Sequence, residues 1–148
     1  MKKLIGVCAL LFAAVVPASA RSYVKPEIQV VVFRADWCGP CKIMEPSLKT
    51  ALRQLNDPQI QVVTIDTTNG ASMQVANVAF DANVVDQYNM WAGLTGFAVI
   101  VDPDTKRSLG CVNMTYDAGA MKAHISGLKQ IALRDGENFD LTCPGPNR

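Results

Sequence analysis

Trp37-Cys38-Gly39-Pro40-Cys41-Lys42 constrains this chain more than any other stretch. It follows the apolar run Val30-Val31-Val32-Phe33, a pattern that reads as a strand feeding the first turn of a helix. Pro40 suits that turn, because the N–H it lacks has no partner there. The Cys38 sulfur then lies over unpaired helix N–H groups and the positive end of the helix dipole, which favours its thiolate. Cys41 follows one turn on, near enough to close a small disulfide ring. Such a pair can be attacked, hold a mixed disulfide and resolve it internally, with no cofactor. So short a loop removes little chain entropy, which argues against a bridge that only stabilises. Zinc would need further thiolate or imidazole ligands. His124 is the sole histidine, and its spacing suggests no ligand set, so no metal site is expected.

Residues 1–20 read as a cleaved secretory leader. Lys2 and Lys3 start it, residues 4–16 are apolar, and Ala18-Ser19-Ala20 supplies small residues for cleavage. The apolar part would make a helix of about 20 Å, short of a bilayer core of about 30 Å, so cleavage is expected rather than anchoring. A short, lysine-started leader points to the bacterial periplasm. Residues 21–134 are then one domain, and residues 135–148, with Gly136, Pro144, Gly145 and Pro146, an irregular tail. Removing Lys2 and Lys3 takes the formal charge from +1 to −1. Without basic runs there is no footprint for nucleic acid or anionic lipid. No later segment is long and apolar enough to span a membrane.

Cys8 leaves with the leader, and the remaining Cys38, Cys41, Cys111 and Cys143 allow three connectivities. If Cys38 and Cys41 act as a unit, Cys111 and Cys143 are left as a possible structural disulfide tying the tail to the body in an oxidising compartment. A third redox thiol at Cys111 is the other option.

Ile28–Arg34 and Ile60–Asp66 are expected as strands buried on both faces. A helix is expected from Gly39 to Leu55, kinked at Pro46. Residues 69–91 should form two helical pieces, broken near Asp81-Ala82-Asn83. Residues 97–102 and 109–114 read as a hairpin around Pro103-Asp104-Thr105-Lys106. Residues 118–134 read as an amphipathic helix with Met121, Ile125, Leu128, Ile131 and Ala132 on its apolar face. This order predicts an α/β fold, a central mixed sheet flanked by helices.

With that order, the phrase from Phe33 to Lys42 and Pro46 five residues after Cys41, the chain resembles the thioredoxin family over residues 27–134. The resemblance implies a thioredoxin-like fold, with Cys38 as exposed nucleophile and Cys41 as buried resolving thiol. It implies supporting places for Trp37, Gly39, Pro40 and Lys42, a helix bent by Pro46, and a groove glycine at Gly110. The chain departs from the family in three places. Val32 stands where the family has a buried aspartate, and Val62 where it has the lysine partner. Their joint loss is consistent, because a lone buried charge is costly, but it removes a base for Cys41. Leu94-Thr95-Gly96-Phe97 occupies the stretch where the family has a cis-proline, so Thr95 and Gly96, with Gly110, are expected to line a roomier substrate groove. Met73, Phe80, Tyr88, Met90 and Trp91 lie in the long connection between Cys41 and Gly96. They are expected to pack an extra helix rather than present a partner surface.

The expected function is therefore a periplasmic thiol–disulfide oxidoreductase acting on protein cysteines. Gly39-Pro40 resembles the reducing members, and a membrane thiol carrier would recharge the pair. Two alternatives remain. One is a carrier that holds a soft ion such as Cu(I) between Cys38 and Cys41, against which the lack of methionine or histidine clusters argues. The other is a partner-specific assembly factor on the same scaffold. Asp36 and His124 are given no role.

Overall fold

Apolar residues occupy both faces of Ile28–Arg34 (β1), and the sheet is built around that strand. In the computed structural model, which describes residues 24–134 and 142–145, β1 pairs in parallel with Ile60–Asp66 (β2). On its other side it pairs antiparallel with Phe97–Val101 (β3), and Ser108–Asn113 (β4) completes the order β2-β1-β3-β4. The helices are Gly39–Leu55 (α1), Met73–Asp81 (α2), Val85–Trp91 (α3) and Ala118–Leu133 (α4). The expected leader, and tail residues 135–141 and 146–148, lie outside the described residues.

Strand alternation divides the core in two. Val30 and Val32 face Met44 and Leu48 of α1 and Met121, Ile125 and Leu128 of α4. Val31 and Phe33 face the opposite way, toward Ile65, Ala79, Trp91, Phe97 and Cys111. With both faces covered, a central strand has no use for polar alternation.

The expectation of a fully buried second strand is corrected. β2 is an edge strand that buries Val63 and Ile65 and exposes Gln61, Val62 and Thr64, with Val62 at 48%. Its β-branched run resembled that of β1, but among the described residues no strand pairs with its outer side. α1 passes through Pro46 as one helix and ends at Asn56, whose left-handed φ of 45° turns its N–H onto the Leu52 carbonyl. α4 starts at Asp117, which accepts from the Ala120 N–H at 2.7 Å. Farther along α4, Lys129 pairs with Asp57 after α1 and with Glu27 before β1, the latter at 2.7 Å. Burial alone would lower the Lys129 pKa, but the hydrogen bonds to Asp57 and Glu27 outweigh it and the pKa is raised.

Candidate active site

After β1 the chain turns through Ala35-Asp36-Trp37, closed by the Cys38 N–H on the Ala35 carbonyl at 3.1 Å, and enters α1 at Gly39. Cys38 caps the helix, its Sγ accepting the Cys41 N–H at 3.1 Å, and Pro40 sits in the first turn. Cys38 and Cys41 are joined in a disulfide with Cα atoms 5.3 Å apart. The Cys41 Sγ lies 4.0 Å from the Phe33 carbonyl oxygen.

The resemblance implied an exposed Cys38, whereas the structure covers it. In the disulfide state it is 3% exposed and packs with Ala35 and Cys41. The cover comes from Gly96, whose φ is +94°. A Cβ built there would fall 2.8 Å from Pro40 Cβ and 3.6 Å from Cys38 Sγ. Only glycine allows this approach at this φ. The Gly96 N–H donates to the Phe33 carbonyl at 2.9 Å, and no cis peptide bond occurs among the described residues. Thr95 is half-buried beside it. Gly110, which the resemblance implied as a groove residue, lies in β4. It pairs with Ile100, three register steps along the hairpin from the Phe97–Asn113 pair that follows Gly96.

Trp37 is the exposed member of the motif at 64%, its indole Nε1 donating to the Thr68 carbonyl at 3.3 Å. Gly39, Pro40 and Lys42 are solvent-exposed around the helix start.

The sequence reading missed Arg34 altogether. Its guanidinium, at the end of β1, pairs with Asp36 at 2.7 Å, with Glu45 of α1 at 3.0 Å and with Asp66 of β2. Hydrogen bonds to Asp36 and then Glu45 outweigh burial and raise the Arg34 pKa. Hydrogen bonds from the Thr68 hydroxyl and N–H, with Arg34 behind them, hold the Asp66 carboxyl below its ordinary value. Asp36 also donates its N–H to the Thr68 hydroxyl at 2.9 Å. The active-site turn is thus laced to the end of β2. An arginine two residues before Asp36, at a strand end, was the signal available.

Val32 is buried opposite Thr64, and Val62 sits opposite Val30, so the two valines are diagonal rather than paired. Both line an open groove of about 470 Å³ between α1 and β2, with Leu48 and Leu52. On the other face, Cys111 and Cys143 form a disulfide with Cα atoms 4.8 Å apart. Trp91 is buried and Tyr88 half-buried against that core, whereas Met73, Met90 and Phe80, the last at 75%, are exposed. Packing thus accounts for only part of that apolar set.

The family model for thioredoxin matches residues 13–91, more than half of the chain. The chain belongs to the thioredoxin family. A chloroplastic thioredoxin Y from Oryza sativa subsp. japonica is 48% identical over 50 residues, 33% of this chain and 29% of that protein. A thioredoxin-like protein from Synechocystis sp. is 50% identical over 42 residues, 28% of this chain and 39% of that protein. The matched stretch therefore spans well under half the length of either relative. Among solved structures, reduced thioredoxin 2 from Pseudomonas aeruginosa shares 17% identity at a TM-score of 0.46, covering 71% of this chain and 82% of its own. The first thioredoxin domain of mouse protein disulfide-isomerase A4 shares 24% at a TM-score of 0.42, covering 81% and 74%.

As a thioredoxin-family site, the arrangement can do one kind of chemistry unaided, the exchange of a dithiol for a disulfide. Among the described residues no cluster of histidine, cysteine, aspartate or glutamate is placed to hold a metal ion. None of their helices is long and apolar enough to cross a membrane.

Proposed function

We propose that this chain is a periplasmic thiol–disulfide oxidoreductase that reduces protein disulfides. One observation carries the reading: Cys38 caps α1 with its Sγ on the Cys41 N–H, where a thiolate is favoured, and Cys41 is within bonding reach. In the dithiol form the Cys38 thiolate attacks a client disulfide, forming a mixed disulfide and releasing one client thiolate. Cys41 then loses its proton and attacks Cys38 Sγ. The second client thiolate leaves, and the Cys38–Cys41 disulfide remains. Two electrons pass from the pair to the client. Val32 offers no base for the Cys41 proton, so water or the departing client thiolate takes it.

Exposed Trp37 beside the disulfide supports a protein client, since an amphipathic ring is suited to contact with a partner. The reducing direction rests on Gly39-Pro40, and the compartment on the leader read in residues 1–20. A membrane thiol carrier returns the pair to the dithiol form.

Insulin-disulfide reduction in the presence of dithiothreitol tests the activity. The wild-type chain should accelerate it, and Cys38→Ser should fall to the dithiothreitol background. A Cys38→Ser variant as active as wild type refutes the reading. A potential of about −270 mV supports a reductant, whereas one of about −120 mV reverses the direction. Cell fractionation of the full chain should find a product shortened by the leader in the periplasm.

A further inference from the structure

Residues 92–96 form the connection that brings Gly96 over Cys38. Gly93 and Gly96 both take positive φ, at 86° and 94°, and it contains no proline. Backbone hydrogen bonds hold both ends of the connection. Gly96 is tied to the Phe33 carbonyl, and at the start the Leu94 N–H bonds the Trp91 carbonyl at 3.0 Å. Trp91 is 2% exposed, its ring edge-on to Phe33 at 6.1 Å and to Phe97 at 5.7 Å, while Phe33 and Phe97 stack at 4.9 Å. Phe33 carries the carbonyl facing Cys41, and Phe97 follows Gly96 in the chain.

The indole Nε1 of Trp91 donates to the Pro144 carbonyl at 2.9 Å, so a residue of the tail completes this cluster. The neighbouring tail residues are fixed to the sheet twice. Cys143 is bonded to Cys111 of β4. The Thr142 hydroxyl accepts the Cys111 N–H at 3.2 Å and donates to its carbonyl at 2.8 Å. Contacts therefore run without a gap from the second disulfide, through Pro144 and Trp91, to the connection that covers the first.

We infer that Trp91 is a positioning residue for the Cys38–Cys41 couple, and that the Cys111–Cys143 disulfide keeps it in place. The tail staple holds the 92–96 connection down on Cys38, and loosening it opens the sulfur to attack. This inference rests on the oxidoreductase reading for its consequence but not for its measurement.

The test measures how fast dithiothreitol reduces Cys38–Cys41 in the oxidised full chain, by acid quench, alkylation and mass spectrometry. Attack by a small thiol depends on access to the sulfur, and the oxidised state is the one whose cover is described. Trp91→Phe removes the indole N–H and keeps an aromatic ring. The double variant Cys111→Ser, Cys143→Ser removes the staple. Both should be reduced about threefold faster than wild type, or more. Leu128→Ala, which weakens the opposite face of the sheet, should leave the rate unchanged. Wild-type rates in Trp91→Phe overturn the inference, and so does an equal acceleration in Leu128→Ala. Trp91→Phe decides the matter if the double variant does not fold. Because no client is involved, a wild-type chain that fails on insulin sinks the oxidoreductase reading, while equal dithiothreitol rates sink only this one.

Discussion

Replacing Gly96 by alanine tests how the site is assembled, because two separable terms oppose the new methyl group. The first is backbone conformation. At φ +94° an L residue meets the steric conflict that glycine escapes, costing about 1–2 kcal/mol. The second is contact. The added Cβ would stand 2.8 Å from Pro40 Cβ, whereas carbon pairs settle at about 3.5–4.0 Å. Pro40 cannot turn its ring aside, since the ring is part of the backbone in the first turn of α1. Either the helix start or the 92–96 connection must shift, and such overpacking costs about 1–3 kcal/mol. The two together come to about 2–5 kcal/mol, a large share of the about 5–15 kcal/mol that holds a domain folded.

Two other glycines isolate the terms. Gly70 has φ +82° and nothing within 4 Å of its would-be Cβ, so Gly70→Ala should show the backbone term alone, about 1–2 kcal/mol. Gly39 has neither a positive φ nor a neighbour within 4 Å, so Gly39→Ala should be neutral or stabilising by up to about 1 kcal/mol. Urea unfolding of the three oxidised variants gives the order directly, provided the slopes match. If Gly96→Ala loses no more than Gly70→Ala, the close approach to Pro40 is refuted. If it loses nothing, the left-handed conformation is refuted as well.

Lys129→Met should lower stability by about 1–3 kcal/mol at neutral pH, because Asp57 and Glu27 lose a mostly buried partner. The hydrogen bond from Lys129 holds the Asp57 pKa below its ordinary value. That stability is therefore present above about pH 4 and lost as pH falls through the lowered pKa, so wild type and variant should converge in acid. Val32→Asp should cost several kcal/mol by burying an unpaired carboxylate, with a loss that shrinks as acid protonates it. A lysine added by Thr64→Lys, opposite it in the sheet, should restore more than Val62→Lys, and urea midpoints at pH 4 and pH 8 would show both effects. Breaking Cys111–Cys143, with a separation of 32, should cost up to about 4 kcal/mol by loop entropy, measured as a loss of thermal stability in the double serine variant.

Most of the fold was legible because its signals are local. The unbroken apolar run of β1 and the break at Asp81-Ala82-Asn83 are written within a few residues, and each falls where its pattern predicts. β2 was misread because a β-branched run records a preference for extended backbone and not the number of neighbouring strands. Gln61 and Thr64 were the available warning, since a strand enclosed on both faces has little room for them. The ends of β3 and β4 moved by a residue or so, as turn residues pair or not according to tertiary fit.

The site divides along the same line. The Cys38 cap is set by the six residues around it, so the motif alone locates it. The cover on Cys38 depends on Gly96 meeting Pro40, and the Arg34 cluster on Asp66, 32 residues away; neither is recoverable from a local pattern. These long-range contacts also say how the couple is tuned. With valine at positions 32 and 62, the charge around the active-site turn lies at its rim, where Arg34 meets partly exposed carboxylates. Charges that remain in contact with water act weakly on a buried thiol. What remains to set the reactivity of Cys38 is the helix terminus beneath it and the glycine connection above it. Of these two, only the connection can change without unfolding α1.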